Sequence, residues 1–153
     1  MKIYVYKSLR LLVCREGSDV ILRAPIQLGY GCDDGPKCRE GDGRTPEGHY
    51  HISSCNPQSK FYLSLGISYP NADDAMRGHA AGLIDDWCLE RILTSPKRPP
   101  WNTPLGGFIM IHGQPNDGAR SGDWTAGCIA LQNADMEILY TNASIGDKVI
   151  ITP

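Results

Sequence analysis

The chain opens on a broken alternation. Apolar residues at Ile3 and Val5, then at Leu11 and Val13, recur every second position. That spacing lays one face of a strand on a core. Lys7 and Arg10 interrupt the run, so residues 2–14 read as two halves of a strand region. "REGSD" at 15–19 is a turn, and "VILRAPIQLG" at 20–29 is a further strand whose Pro25 marks an edge or bulge. Residues 30–48 are dense in Gly, Asp and Pro and read as loop. "HYHISSC" at 49–55 and "FYLSLGISYP" at 61–70 alternate again and read as strands.

The pattern then changes. "NADDAMRGHAA" at 71–81 predicts a short helix with Asn71 as N-cap, and Ile84, Trp87, Cys88, Ile92 and Leu93 gather near one face of a second helix. Residues 94–104 are too rich in proline to continue it. "GGFIMIHG" at 106–113 predicts a strand ending at His112, residues 114–127 a loop, and 133–143 a helix capped by Asn133. "IGDKVIITP" closes with a strand. The expected fold is mainly β and sandwich-like, with about seven short strands and two or three short helices. A helical, Pro-rich insertion falls at about 80–104, and no linker divides residues 1–153, so one domain is expected.

Composition narrows the function classes. With 41% hydrophobic and 21% charged residues the chain is globular, and a net charge of −2 leaves no basic stripe for nucleic acid. No apolar run approaches the roughly 18 residues that cross a bilayer, so no membrane partner is expected. "MKIYVYKSLRLLVCREG" lacks the apolar stretch of a secretory leader, which sets the expectation of a cytoplasmic protein; the periplasm or wall side is the alternative if an export signal has been trimmed. Six cysteines occur without a CxxC pair, and free thiols are expected in a reducing compartment, Cys32 and Cys38 included. His49 and His51 share a strand face, but their spacing to Cys38 or Cys55 is unlike a structural zinc site, and no metal is expected.

Cys128 in "DWTAGCIAL" is the residue with open alternatives: core filler, disulfide partner, metal ligand or nucleophile. A nucleophile needs its thiolate and a base within reach. His112, at the end of an apolar strand, suits the base, and Gly113 offers a carbonyl to its other nitrogen. Gly127 permits close backbone approach, and the amides of Gly127 and Cys128 suit an oxyanion hole. Such a pair is expected to label fast with thiol reagents near neutral pH.

Three ordered motifs decide further. "IMIHG" with "TAGCIAL", Thr45-Pro46-Glu47-Gly48 within "EGDGRTPEGHYHIS", and "FYLSLGISYPNADD" at 61–74 together resemble the L,D-transpeptidase catalytic domain, or YkuD, family. The resemblance implies a Cys-His enzyme that attacks the L-centre carbonyl, usually of diaminopimelate, in a peptidoglycan tetrapeptide stem. It expels the terminal D-Ala and leaves a thioester, with no cofactor. Carried over, Cys128 is the nucleophile, His112 the base and Gly113 the orienting carbonyl. Thr45, Tyr69, Thr125 and Trp124 are expected at the substrate, with Asp123 and Trp124 also supporting the nucleophile loop. Two departures stand out. The family's His before Gly-Cys is Ala126 here, and its Arg two after Cys is Ala130. Arg77, Arg120 or Arg44 is expected to supply the missing cation. Residues 80–104 are expected to form a lid walled by Trp87 or Trp101, against the alternative of a surface helix. A cytoplasmic location favours an L,D-carboxypeptidase trimming stem tetrapeptides or muropeptides, a wall location an L,D-transpeptidase. The losses at Ala126 and Ala130 keep an inactive wall-peptide-binding module as a third reading.

Overall fold

A computed structural model describes residues 1–153. The strands are β1 (Lys2–Tyr6), β2 (Leu11–Glu16), β3 (Asp19–Pro25), β4 (Gly48–Ser59), β5 (Tyr62–Ile67), β6 (Met110–His112), β7 (Ile129–Ala130) and β8 (Lys148–Thr152). The helices are α1 (Ala72–Ala80), α2 (Asp86–Leu93) and α3 (Asn133–Asn142). The strands form one eight-stranded sheet in the order β3-β2-β1-β8-β4-β5-β6-β7. The sheet curls on itself. Beyond β3 the chain bridges back to the far edge, at Gln27↔Ala130 and Gly29↔Thr125.

The curl encloses one core. Its 22 buried residues include Ile3, Val5, Leu12, Ile52, Leu65, Ile67, Ile111, Ile129 and Val149. In β1 the expected face is buried, with Ile3 and Val5 at 0% exposure, but β2 turns Leu12 and Cys14 inward and leaves the expected Leu11 and Val13 half-buried on its other face. A smaller cluster joins α1 to the insertion, with Ala75, Ile84, Cys88, Ile92 and Leu105 in contact. Helix α2 therefore lays its apolar face on protein, while Trp87 points outward, 65% exposed, under Arg91.

Two elements depart from the sequence reading. The strand expected over 106–113 is only three residues long, because Phe108 takes a left-handed φ of 56° that interrupts extended backbone. Helix α3 starts where expected, but Gln132 is its N-cap and no side chain caps it. The Asn133 amide oxygen instead accepts the Gln114 backbone N–H at 2.8 Å. Asn71 does cap α1, in a reciprocal box with Asp74.

Candidate active site

The site grows from one parallel strand pair. Ile111 pairs with Ile129 and His112 with Ala130. Ile111 and Ile129 are fully buried in the core. Burying each such side chain contributes about 2 kcal/mol, which fixes the register. Period-two alternation then turns His112 and Ala130 to the other face, along with Cys128 two residues earlier. Strand spacing and rise separate the His112 and Cys128 Cα atoms by roughly 8 Å.

His112 is held on three sides. Its Nδ1 lies 2.7 Å from the Gly113 carbonyl oxygen, which makes it the protonated nitrogen and leaves the Nε2 lone pair free. Its ring stacks on Phe61 at 4.4 Å and meets Trp124 edge-on at 5.7 Å. Burial holds the imidazole below its ordinary pKa, and the Gly113 carbonyl pulls the other way. Gly113 cannot be larger: a Cβ there would lie 2.6 Å from Asn133 Oδ1 and 2.9 Å from the Phe61 carbonyl oxygen.

Cys128 is half-buried. Its Sγ donates to the Phe108 carbonyl at 3.4 Å and accepts from the Met110 N–H at 3.4 Å. No hydrogen bond joins it to His112 in this conformation. Burial pushes the thiol pKa up, against the Met110 amide and the Lys37 charge. Cys128 up and His112 down both disfavour a resting thiolate–imidazolium pair. The direction runs against fast labelling at neutral pH. It fits a neutral thiol that loses its proton to His112 as it attacks.

The nucleophile loop is shaped by Thr125 and Gly127. Thr125 Oγ1 donates to the Cys128 carbonyl at 2.7 Å and accepts from the Gly127 N–H at 3.2 Å. Of the two amides expected to bind an oxyanion, the Gly127 amide is thus committed to Thr125. The Cys128 amide has no acceptor in the chain. Gly127 has φ 136°, and a Cβ on it would lie 2.7 Å from the Arg44 carbonyl oxygen. The Thr-Pro-Glu-Gly segment therefore runs directly against the nucleophile loop.

The remaining expected residues divide. Thr45 is fully buried, its Oγ1 accepting from Gly29 N–H at 3.0 Å and its carbonyl from Lys7 Nζ at 3.0 Å. It sets loop position and offers substrate nothing. Trp124 flanks His112 and donates from Nε1 to Gln27 Oε1 at 2.9 Å. Arg120 shares a surface recess with Trp124 and Phe61, its guanidinium held by Asp117 at 3.0 Å. Asp123 receives Arg10 at 2.7 Å and caps the Leu28 amide at 2.8 Å. Tyr69 is a correction: it is fully buried, with its hydroxyl committed to the Leu105 carbonyl at 2.7 Å. Arg77 is a second: it projects from α1 into an ion pair with Asp74 and makes no contact with Cys128 or His112.

Residues absent from the sequence reading complete the site. Gln27 receives Trp124 and Gln114 on one oxygen and donates to the Arg120 carbonyl at 2.8 Å. Asn133 holds the strand end beside Gly113 through Gln114. Phe108, 63% exposed, stands over Cys128, and Trp101 packs on its ring at 4.8 Å. Of these, Trp101 alone is singled out by the sequence, as a wall of the insertion; Gln27, Asn133 and Phe108 carry no local sign of a place at the site. The largest surface concavity, about 740 Å³ on β1, β2 and β8, contains none of these residues.

Comparison with known proteins places the chain in a family. The sequence profile of the L,D-transpeptidase catalytic domain, YkuD, matches residues 1–151. A 47-residue stretch, 29% of this chain and 19% of the relative, is 40% identical to YafK of Escherichia coli K12, whose name assigns it provisionally to the L,D-transpeptidases. Among solved structures, a variant of the helical cell shape determining protein Pgp2 of Campylobacter jejuni superposes with TM-score 0.68 at 25% identity, over 98% of this chain and 46% of that one. Mycobacterium tuberculosis L,D-transpeptidase 1 superposes with TM-score 0.56 at 11% identity, over 99% and 60%. The chain thus spans less than half of Pgp2 and about a fifth of YafK. With the profile matched over nearly its whole length, this chain belongs to the L,D-transpeptidase catalytic domain family, whose members are cysteine-dependent enzymes of peptidoglycan peptides.

Proposed function

We propose that the chain is a cysteine acyl transferase of peptidoglycan stem peptides that hands its acyl group to water. Cys128 attacks the carbonyl at the L-centre of the third stem residue, usually diaminopimelate. His112 Nε2 takes the thiol proton and returns it to the departing amine of D-Ala. The Cys128 amide faces the developing oxyanion. Water, deprotonated by His112, then cleaves the thioester and releases a tripeptide stem. The observation that carries the chemistry is the alignment of His112 and Cys128 on one face of adjoining strands, with Nδ1 tied to Gly113.

The preference for water rests on Ala126: where the family carries His before Gly-Cys, this chain has a methyl group, so that position offers an incoming amine no base. L,D-Carboxypeptidase action on muropeptides is the reading favoured, in the cytoplasm. L,D-Transpeptidation, on the wall side, is the same thioester resolved by an amine. Mass spectrometry of products from a disaccharide-tetrapeptide, with and without a D-amino-acid acceptor, separates them. Tripeptide as main product in both reactions supports hydrolysis; acceptor-exchanged product makes the chain a transpeptidase. Peptide binding without turnover by wild type makes it a binding module.

A further inference from the structure

Beside the nucleophile, the insertion closes a cavity of about 240 Å³ lined by Ser53, Ser54, Arg98, Pro99 and Trp101. Three observations distinguish it from a packing gap. First, pairing of β4 with β5 steps from Ile52↔Ile67 to Ser54↔Gly66, which makes Ser53 the extra residue of a bulge. A bulge turns a side chain out of strict alternation, and both serines line the cavity. Second, Ser53 Oγ and Trp101 Nε1 are buried with no hydrogen-bond partner, the only two such side-chain atoms in the chain. Buried polar groups are ordinarily paired, so an unpaired hydroxyl and indole N–H lining one cavity point to an acceptor supplied by a ligand. Third, Arg98 Nε donates to the Ser53 carbonyl at 3.2 Å, which fixes the guanidinium there. Its two terminal nitrogens meet no carboxylate and are left for an incoming group.

The cavity lies in line with Cys128. Ser54 pairs with Gly66, Gly66 with Met110, and the Met110 amide donates to Cys128 Sγ. Three strand spacings make that row about 14 Å long. Gly66 lets Ser54 and Trp101 close over this row: a Cβ there would lie 2.3 Å from Ser54 Oγ and 3.0 Å from Trp101 Cη2. Trp101 also touches Phe108, whose carbonyl receives the Cys128 thiol. An extended peptide of about four residues covers this distance.

We propose that this cavity is a carboxylate subsite for the acyl-donor peptide, with Arg98 supplying the cation that Ala130 does not. The inference rests on the Cys128 reading for the identity of that peptide. Guanidinium, indole N–H and hydroxyls are rich in donors, and no acidic residue lines the cavity. A carboxylate, with acceptor capacity on both oxygens, matches this set. Arg98 is thereby a specificity-determining residue, where Arg77, Arg120 and Arg44 were the expected cations.

Calorimetry on Cys128→Ala protein tests it without turnover. The probes are the free stem tetrapeptide and two amidated forms, one at the α-carboxyl of the second residue and one at the side-chain carboxyl of the third. Arg98→Gln is expected to weaken the free tetrapeptide about tenfold, and Arg98→Lys to recover part of the loss. One amidated form is expected to bind Arg98 protein as weakly, and to lose nothing more in Arg98→Gln; that form identifies the carboxylate. The Trp101 indole N–H resonance is expected to shift on binding. Equal weakening of all three peptides by Arg98→Gln, or no weakening of any, overturns the subsite. Product analysis with wild-type protein reads the Cys128 chemistry separately: a turning-over enzyme indifferent to Arg98 sinks the subsite alone.

Discussion

Cys128 and His112 are set by their surroundings to opposite protonation tendencies. Burial raises the thiol and lowers the imidazole. A lowered base stays neutral at neutral pH and is lost only as pH falls through the lowered value. The acid limb of kcat/KM is therefore expected below the ordinary histidine range near 6.5. Iodoacetamide labelling of Cys128 is expected to climb with pH through the alkaline range, with no acid plateau; a plateau below pH ~6 would instead reveal a resting ion pair. Gly113→Ala is expected to cost about 1–3 kcal/mol, read as a lower melting temperature, because its methyl group would press on Asn133 and the Phe61 carbonyl. At this scale the two motifs that hold Cys128 and His112 were legible, being short and local, and the fold sets them on adjoining strands. Tyr69 and Arg77 were misplaced: whether a side chain faces substrate depends on which partner reaches it first. Tyr69 is claimed by the Leu105 carbonyl, a contact no local spacing announces, whereas the Asp74–Arg77 pair is the i,i+3 contact that a helix there allows.

Among elements, β6 shows how local irregularity serves position. The positive φ of Phe108 ends the extended run early and aims its carbonyl at the thiol. Apolar periodicity over 106–113 gave no warning, because alternation reports side-chain faces and not backbone handedness. The missed cap of α3 has a similar cause. Asn133 is a good capping residue by type, but its oxygen is claimed by Gln114 from another element. The loop 37–44 depends on Asp42, which receives Lys37 at 2.9 Å and the amides of Cys38, Arg39 and Arg44. Burial alone would raise this carboxyl; the amides and Lys37 outweigh it and hold the pKa at about 2. A depressed carboxyl stabilises the fold above its unfolded pKa, near 3.8, and loses that contribution as pH falls toward about 2. Asp42→Asn is expected to lower stability by ~2 kcal/mol at pH 7 and by much less at pH 2, measured by urea unfolding.

Across the whole molecule, the curl of the sheet makes the site. It brings the stretch after β3 against β7, so that Gln27, two residues beyond β3, ties Trp124, Gln114 and Arg120 together. The β class, the strand content and the position of the insertion followed from patterning, because hydrophobic alternation is a local signal. Closure did not, since it depends on pairing residues a hundred positions apart. Gln27→Leu removes the acceptor of the Trp124 indole N–H and one of the two acceptors of Gln114 Nε2, and is expected to lower kcat more than tenfold while shifting the melting temperature only a few degrees. Hydrogen exchange is expected to quicken across 114–124 and to stay unchanged in β1 and β8.

Intact-protein mass spectrometry after rapid acid quench with stem tetrapeptide tests the central claim most directly. The account predicts an adduct on Cys128 with the mass of the tripeptide acyl group, absent from Cys128→Ala and released by hydroxylamine. D-Ala release with no adduct on Cys128, or release undiminished in Cys128→Ala, would contradict it.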